Sequence, residues 1–157
     1  IIKTGEIYHS IDMPVIVLLA AMLPLGIALE SSGGSALIAQ LLLVLATDLP
    51  PLAVIAMLIA ATMLLSNVIN NAATAILTAP IAIKLAQGLG LSADPFLMAV
   101  AIGASCAFLT PIGHQSNALV MAPGGYKFGD YWRMGLPLSI LVIATAAPAI
   151  AWIWPLQ

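Results

Sequence analysis

A chain of 157 residues that is 62% hydrophobic and only 6% charged falls outside the ordinary soluble class, where about a quarter of residues are charged. Six acidic and four basic residues leave a net charge of −2, which excludes a nucleic-acid surface and a polybasic patch for anionic lipid. Cys106 is the single cysteine, so an internal disulfide is excluded and the thiol reads as a small apolar filler.

Residues 1–11 are mixed and polar, beginning with Ile1 rather than Met, with no basic leader or cleavage site ahead of the first apolar run. We read the chain as a single transmembrane unit over 1–157 and as a piece of a longer polypeptide. Residues 13–29 are apolar, with Pro14 near the start and Pro24 inside, and Glu30-Ser31-Ser32-Gly33-Gly34 is a helix stop and turn. Residues 35–46 form a short apolar segment carrying Gln40, and 47–51 (TDLPP) a loop. Apolar helices are expected over 52–65 and 72–86, the second holding Pro80 and Lys84. A polar, Gly-rich link (87–94) precedes an apolar helix over 95–109. Residues 110–117 (TPIGHQSN) break the pattern, and 118–122 are an apolar stub. The loop 123–133 (PGGYKFGDYWR) leads to the longest apolar segment, 134–156, whose Trp152 and Trp154 suit an interfacial aromatic belt. Lys127 and Arg133 would set that loop on the cytoplasmic side, with Lys3 and Lys84 as a competing pair.

A spanning helix needs about 20 apolar residues, and most segments here are shorter. Between 52–65 and 72–86 lies the polar sequence Ser66-Asn67-Val68-Ile69-Asn70-Asn71. Two short helices with a polar tip suggest a re-entrant hairpin over 52–86, and 95–122 reads as a broken helix facing it. One continuous helix over 52–86, with its asparagines facing a neighbour, fits the same residues.

Asparagine in hydrocarbon must be satisfied by backbone, neighbouring helices, water or a solute. A broken helix exposes carbonyls at the end of its first half, suited to a hard cation, and N–H groups at the start of its second, suited to an anion. The Asn amide serves both. Carbonyls are expected from 65–69 and 110–113, and donors from 71–73 and 115–117. Pro111 and Gly113 permit the unwinding. Asn67 is assigned to stabilising its own turn.

No Asp or Glu lies inside an apolar segment, so proton coupling would rest on His114, which also reads as a structural or pore-lining histidine. Sodium held by neutral oxygens fits better. Metalloprotease motifs, paired carboxylates and a serine dyad are all absent from the sequence, so an enzyme is not expected. Gly103-Ala104-Ser105 would let helices pack closely.

The tip SNVINNAATA, the run CAFLTPIGHQSNALVMAPGGYKFGDYWRMGLPL and the opening IDMPVIVLLAAMLPLGIALESSG together resemble the C-terminal half of the divalent anion:sodium symporter family, within the ion transporter superfamily. The resemblance covers essentially the whole chain. It implies an all-α membrane protein, one inverted-repeat half of a secondary active transporter for sodium-coupled symport of a sulfate-like or dicarboxylate-like anion. It sets Asn70, Asn71, Ala72, His114, Gln115 and Asn117 at the substrate, and Ser66, Ile69, Asn71 and Gly113 at sodium. It further implies an inverted N-terminal half outside this chain, a homodimer moving substrate by an elevator-like displacement, and residence in the cell inner or plasma membrane. Two departures stand out. The hydroxyl residues that flank the central Asn in the family are Asn70 and Ala72 here, and the family's Thr-Pro-Pro-Asn stretch reads His114-Gln115-Ser116-Asn117. Pro123-Gly124-Gly125-Tyr126 resembles a loop of members that carry TrkA-C domains and are linked to sulfate. Rival readings are an arsenite-type or proton-coupled anion permease, and a non-transporting membrane module whose asparagines only join helices.

Overall fold

The computed structural model describes residues 24, 27, 28, 31–46, 49–69, 71–111, 113–121 and 123–155. The expected helix over 13–29 therefore lies almost wholly outside the described residues, as does Asn70. All regular structure among the described residues is helical. In chain order it comprises α1 (Gly34–Ala46), α2 (Pro51–Ser66), α3 (Asn71–Leu89), α4 (Ala93–Ser105), α5 (Gln115–Met121), a 3₁₀ turn (Phe128–Asp130) and α6 (Tyr131–Ile153).

The boundaries follow local chemistry. Gly33 ends the turn before α1 at φ +76, a conformation open to glycine at no steric cost. Pro50 and Pro51 open α2, where a missing N–H is harmless. Gly90 closes α3 at φ +68 while the Leu91 N–H returns to the Ala86 carbonyl at 3.0 Å, satisfying an orphan acceptor of the last turn. Ser92 caps α4, its hydroxyl accepting from the Asp94 N–H at 3.4 Å.

Helix α4 is the centre of the assembly. It packs on α2, α3 and α6; α2 also packs on α3 and α6, and α1 on α3. The shared core is built from Val54, Ile55, Leu58 and Ile59 of α2, Leu85 of α3, Phe96 and Val100 of α4, and Ile150 of α6. Helices α2 and α4 meet at Gly103, where a Cβ would stand 2.9 Å from the Ile59 carbonyl oxygen and 2.8 Å from Thr62 Cβ. The small-residue run 103–105 thus does allow close packing. Thr62 is buried at that contact, and its hydroxyl has no hydrogen-bond partner among the described residues. Thr62→Val, which keeps the shape and removes an unpaired polar atom, is expected to be neutral or to raise the thermal midpoint, by up to about 1 kcal/mol. A clear fall in midpoint would mean that the hydroxyl has a partner in the whole protein.

The outward faces are apolar. Leu37, Val44 and Leu45 of α1, and Trp132, Met134, Ile140 and Trp152 of α6, are all exposed. So many exposed large apolar side chains suit lipid or other apolar protein segments better than water. Two stretches, Asn71–Leu89 and Phe128–Ile153, are long and apolar enough to cross a membrane, whereas α2 and α4 are shorter.

The expected breaks are present. Residues 67–70 separate α2 from α3, and 106–114 separate α4 from α5. Helix α3 runs three residues further than expected, to Leu89, and α4 stops at Ser105 rather than at 109.

Candidate functional site

The two breaks cross each other. Gly113, in the second, is buried so tightly that a Cβ there would stand 3.0 Å from the Ser66 carbonyl oxygen, 3.0 Å from Asn67 Cα and 2.7 Å from Ala107 Cβ. Only a residue without a side chain allows this approach.

Three oxygens and the Asn71 amide gather at the crossing. The Ser66 hydroxyl, fully buried at the end of α2, donates to the Ala104 carbonyl at 2.6 Å, and its oxygen lies 2.9 Å from the Asn71 amide. Ala104 supplies its carbonyl because α4 ends one residue later, leaving the last carbonyls without helical donors. The Gly113 carbonyl completes the group. An inward Oδ1 on Asn71 would set an oxygen among acceptors, so the amide is assigned with its nitrogen facing Ser66 Oγ, Ala104 O and Gly113 O. With the nitrogen turned inward, it donates to Ala104 O at 3.0 Å, Ser66 Oγ at 2.9 Å and Gly113 O at 3.2 Å. Crowded acceptors need a positive partner, and either an amide N–H or a cation supplies one. Among the described residues no group of His, Cys, Asp or Glu is placed to hold a metal. A cation at this cluster would therefore be held by neutral oxygens, which suits a hard ion.

A second layer holds the crossing together. Asn67 Oδ1 accepts from the Leu109 N–H at 2.8 Å and the Thr110 N–H at 3.1 Å, while its Nδ2 donates to the Met63 carbonyl at 2.8 Å. The Thr110 hydroxyl donates to the Asn67 carbonyl at 2.7 Å and accepts from the Gly113 N–H at 3.2 Å. Asn67 thus does more than stabilise its own turn, since it satisfies two N–H groups of the other break.

Of the predicted cation residues, the structure brings Ser66, Asn71 and Gly113 together. Ile69 sits in the turn between the first two, its N–H on the Leu65 carbonyl at 2.9 Å. The carbonyls expected to be free over 65–69 are partly engaged: Leu65 accepts from Val68 and Ile69, and Asn67 from Thr110. Of the predicted substrate residues, Asn70 lies outside the described residues, and Ala72 follows Asn71 in the first turn of α3. His114 is exposed just before α5, and its Nδ1 accepts from the Ser116 N–H at 3.1 Å. Gln115 is the first residue of α5. Asn117 is half-buried; its Nδ2 donates to the Ala107 carbonyl at 2.8 Å and the Thr110 carbonyl at 3.1 Å, and its own carbonyl accepts from Tyr131 Oη at 2.7 Å. It therefore satisfies carbonyls left open by the second break. A separate, mostly apolar cavity of about 670 Å³ lies beside it, lined by Asn117, Phe108, Val120, Tyr131, Arg133 and Leu138 among others. The sequence reading did not assign the Ala104 carbonyl or the Thr110 hydroxyl to this crossing.

Comparison with known proteins adds a family. Residues 1–103 match the family described as "Citrate transporter". The chain is 44% identical over 145 residues to an uncharacterized transporter of Synechocystis sp., covering 92% of this chain and 24% of that protein. It is 38% identical over 154 residues to the uncharacterized transporter YfbS of Escherichia coli, covering 98% and 25%. It is 33% identical over 130 residues to a protein of Chlamydomonas reinhardtii named sodium/sulfate cotransporter 2, covering 82% and 15%. The chain thus spans about a quarter of the length of the first two relatives.

Proposed function

Because this chain belongs to the citrate transporter family, we propose that it forms one half of a secondary active transporter that carries a small anion, sulfate-like or dicarboxylate-like, together with sodium. The family and the relatives are transporters, not enzymes, and the chain is an integral membrane protein. The observation that carries the sodium assignment is the cluster of Ser66 Oγ, Asn71, Ala104 O and Gly113 O at the crossing of the two breaks. Backbone carbonyls at an interrupted helix, joined by neutral side-chain oxygens, are a setting in which transporters hold sodium. Distant relatives named as sodium/sulfate cotransporters support the same ion and the sulfate choice.

In this reading Ser66, Ile69, Asn71 and Gly113 ligate sodium, and the Ala104 carbonyl joins them. The anion sits at the N-terminus of α3, where Asn70, Asn71 and Ala72 present amides and the helix end is positive. His114, Gln115 and Asn117 approach from the second break. Asn71 belongs to both sites, so sodium places positive charge beside the anion and each ligand raises the affinity for the other. An inverted N-terminal half would supply the opposite wall, and two such chains would form the homodimer.

The test is uptake of sulfate, succinate and citrate into proteoliposomes holding the full-length protein. Accumulation of at least one of them should require an inward sodium gradient. Uptake indifferent to sodium but driven by a pH gradient and lost in His114→Ala would overturn the sodium assignment in favour of a proton-coupled permease.

A further inference from the structure

Thr110 is not itself a proposed ligand; its carbonyl accepts from Asn117 Nδ2 at 3.1 Å, and its hydroxyl stands between the two breaks. It donates to the Asn67 carbonyl at 2.7 Å and accepts from the Gly113 N–H at 3.2 Å. Its own N–H goes to Asn67 Oδ1 at 3.1 Å, beside that of Leu109 at 2.8 Å. Asn67 in turn is anchored to α2 through Met63 at 2.8 Å. The residue that follows Met63 by one turn on the same helix, Ser66, supplies a cluster oxygen, and Gly113 supplies another.

We propose that Thr110 and Asn67 form a positioning clamp that sets the distance between the Gly113 carbonyl and the Ser66–Asn71 pair, and so sets the affinity for the cation. The inference rests on the sodium reading above. The reasoning is geometric. Gly113 has no side chain to fix it and lies in an unwound segment, so its carbonyl has no helical ladder to aim it. Its position must come from what holds its neighbours, and the bond at its own N–H is to Thr110. Metal sites elsewhere follow the same logic, in which partners beyond the ligands orient them and their loss costs about 10- to 100-fold in metal affinity. The clamp also joins the breaks through three bonds that cross from Asn67 to 109–110. A shift of α4 past α2 would thus move a cation ligand.

Thr110→Val keeps the shape of the side chain and removes both hydroxyl bonds. In sodium-dependent uptake by the full-length protein, it should raise the half-saturating sodium concentration by about tenfold or more. Maximal uptake at saturating sodium should be largely retained, and Thr110→Ser, which keeps the hydroxyl, should restore the wild-type sodium dependence. A purely structural role would instead lower the amount of folded protein and the maximal rate with no change in sodium half-saturation, and that outcome would sink the proposal. If Thr110→Val does not fold, Thr110→Cys is compared with Thr110→Ser, because the thiol fills the space with only a weak hydrogen bond; equal sodium half-saturation in the two would likewise overturn it. Should wild-type uptake show no sodium dependence at all, the sodium reading fails first, before the clamp is put to the test.

Discussion

Asn71→Ala is expected to weaken sodium binding by about 10- to 100-fold and to reduce anion uptake at ordinary sodium concentrations to near background. The magnitude follows from what the side chain does. It is the one group of the cluster that can present either oxygen or N–H to Ser66, Ala104 and Gly113. Alanine leaves the Ala104 and Gly113 carbonyls without that partner. One interaction with a charged group is worth about 1.5–3 kcal/mol, and each 1.4 kcal/mol is about tenfold in an equilibrium constant. The proposed anion loses an amide donor at the same stroke, so its affinity should fall even where excess sodium refills the cation site. The measurement is sodium- and anion-dependent thermal shift, together with uptake, on the same full-length protein. Asn71→Ala that unfolds more easily but keeps its ligand-dependent shift would return the asparagines to the role of joining helices, the reading of a non-transporting module.

Gly135→Ala should produce the largest loss of stability for one added carbon. Gly135 is buried in the second turn of α6, against the second break. A Cβ there would overlap the Phe108 carbonyl oxygen and stand 2.7 Å from its carbon and 3.1 Å from Leu109 Cα. These are backbone atoms, which cannot rotate aside as a side-chain end can. Nor is the backbone free to retreat, because Asn67 holds the Leu109 and Thr110 N–H groups. Overpacking of this kind costs about 1–3 kcal/mol, occasionally more. Gly129→Ala is the control, since a Cβ there meets nothing within 4 Å. The thermal midpoint in detergent should fall for Gly135→Ala and stay put for Gly129→Ala. Equal midpoints would mean that α6 is not seated against the break as described.

The position of both breaks was legible because polar residues interrupt apolar sequence, and hydrocarbon makes such interruptions costly. Ser66, Asn71 and Gly113 could be picked out on that ground and by resemblance. Ala104 could not, because a backbone carbonyl leaves no mark in a sequence and alanine is the residue least suggestive of a ligand. The early end of α4 was equally hidden. Residues 106–109 read as continuing helix, because the local stop, Pro111, lies beyond them. The N–H of Leu109 is drawn instead to Asn67, 42 residues away in sequence. Thr110 was read as part of a run of carbonyl donors, while its hydroxyl is the group that acts. Local boundaries such as Gly90 and Ser92 were within the expected polar link, since their chemistry lies within a few residues of the helix ends they fix.

The amide of Asn71 has a consequence for the pace of a transport cycle. Its two N–H groups face three acceptors of the cluster, Ala104 O, Ser66 Oγ and Gly113 O, and a hydrogen bond of this kind is worth about 0.5–1.5 kcal/mol net. In the proposed cycle an arriving ion would compete with that internal donor, and its residence time would reflect the difference between the two. Once the ion departed, the same amide would keep the acceptors from repelling one another. A carrier needs its cargo to leave as well as to enter. A neutral amide that satisfies the acceptors whenever the ion is gone would provide for both.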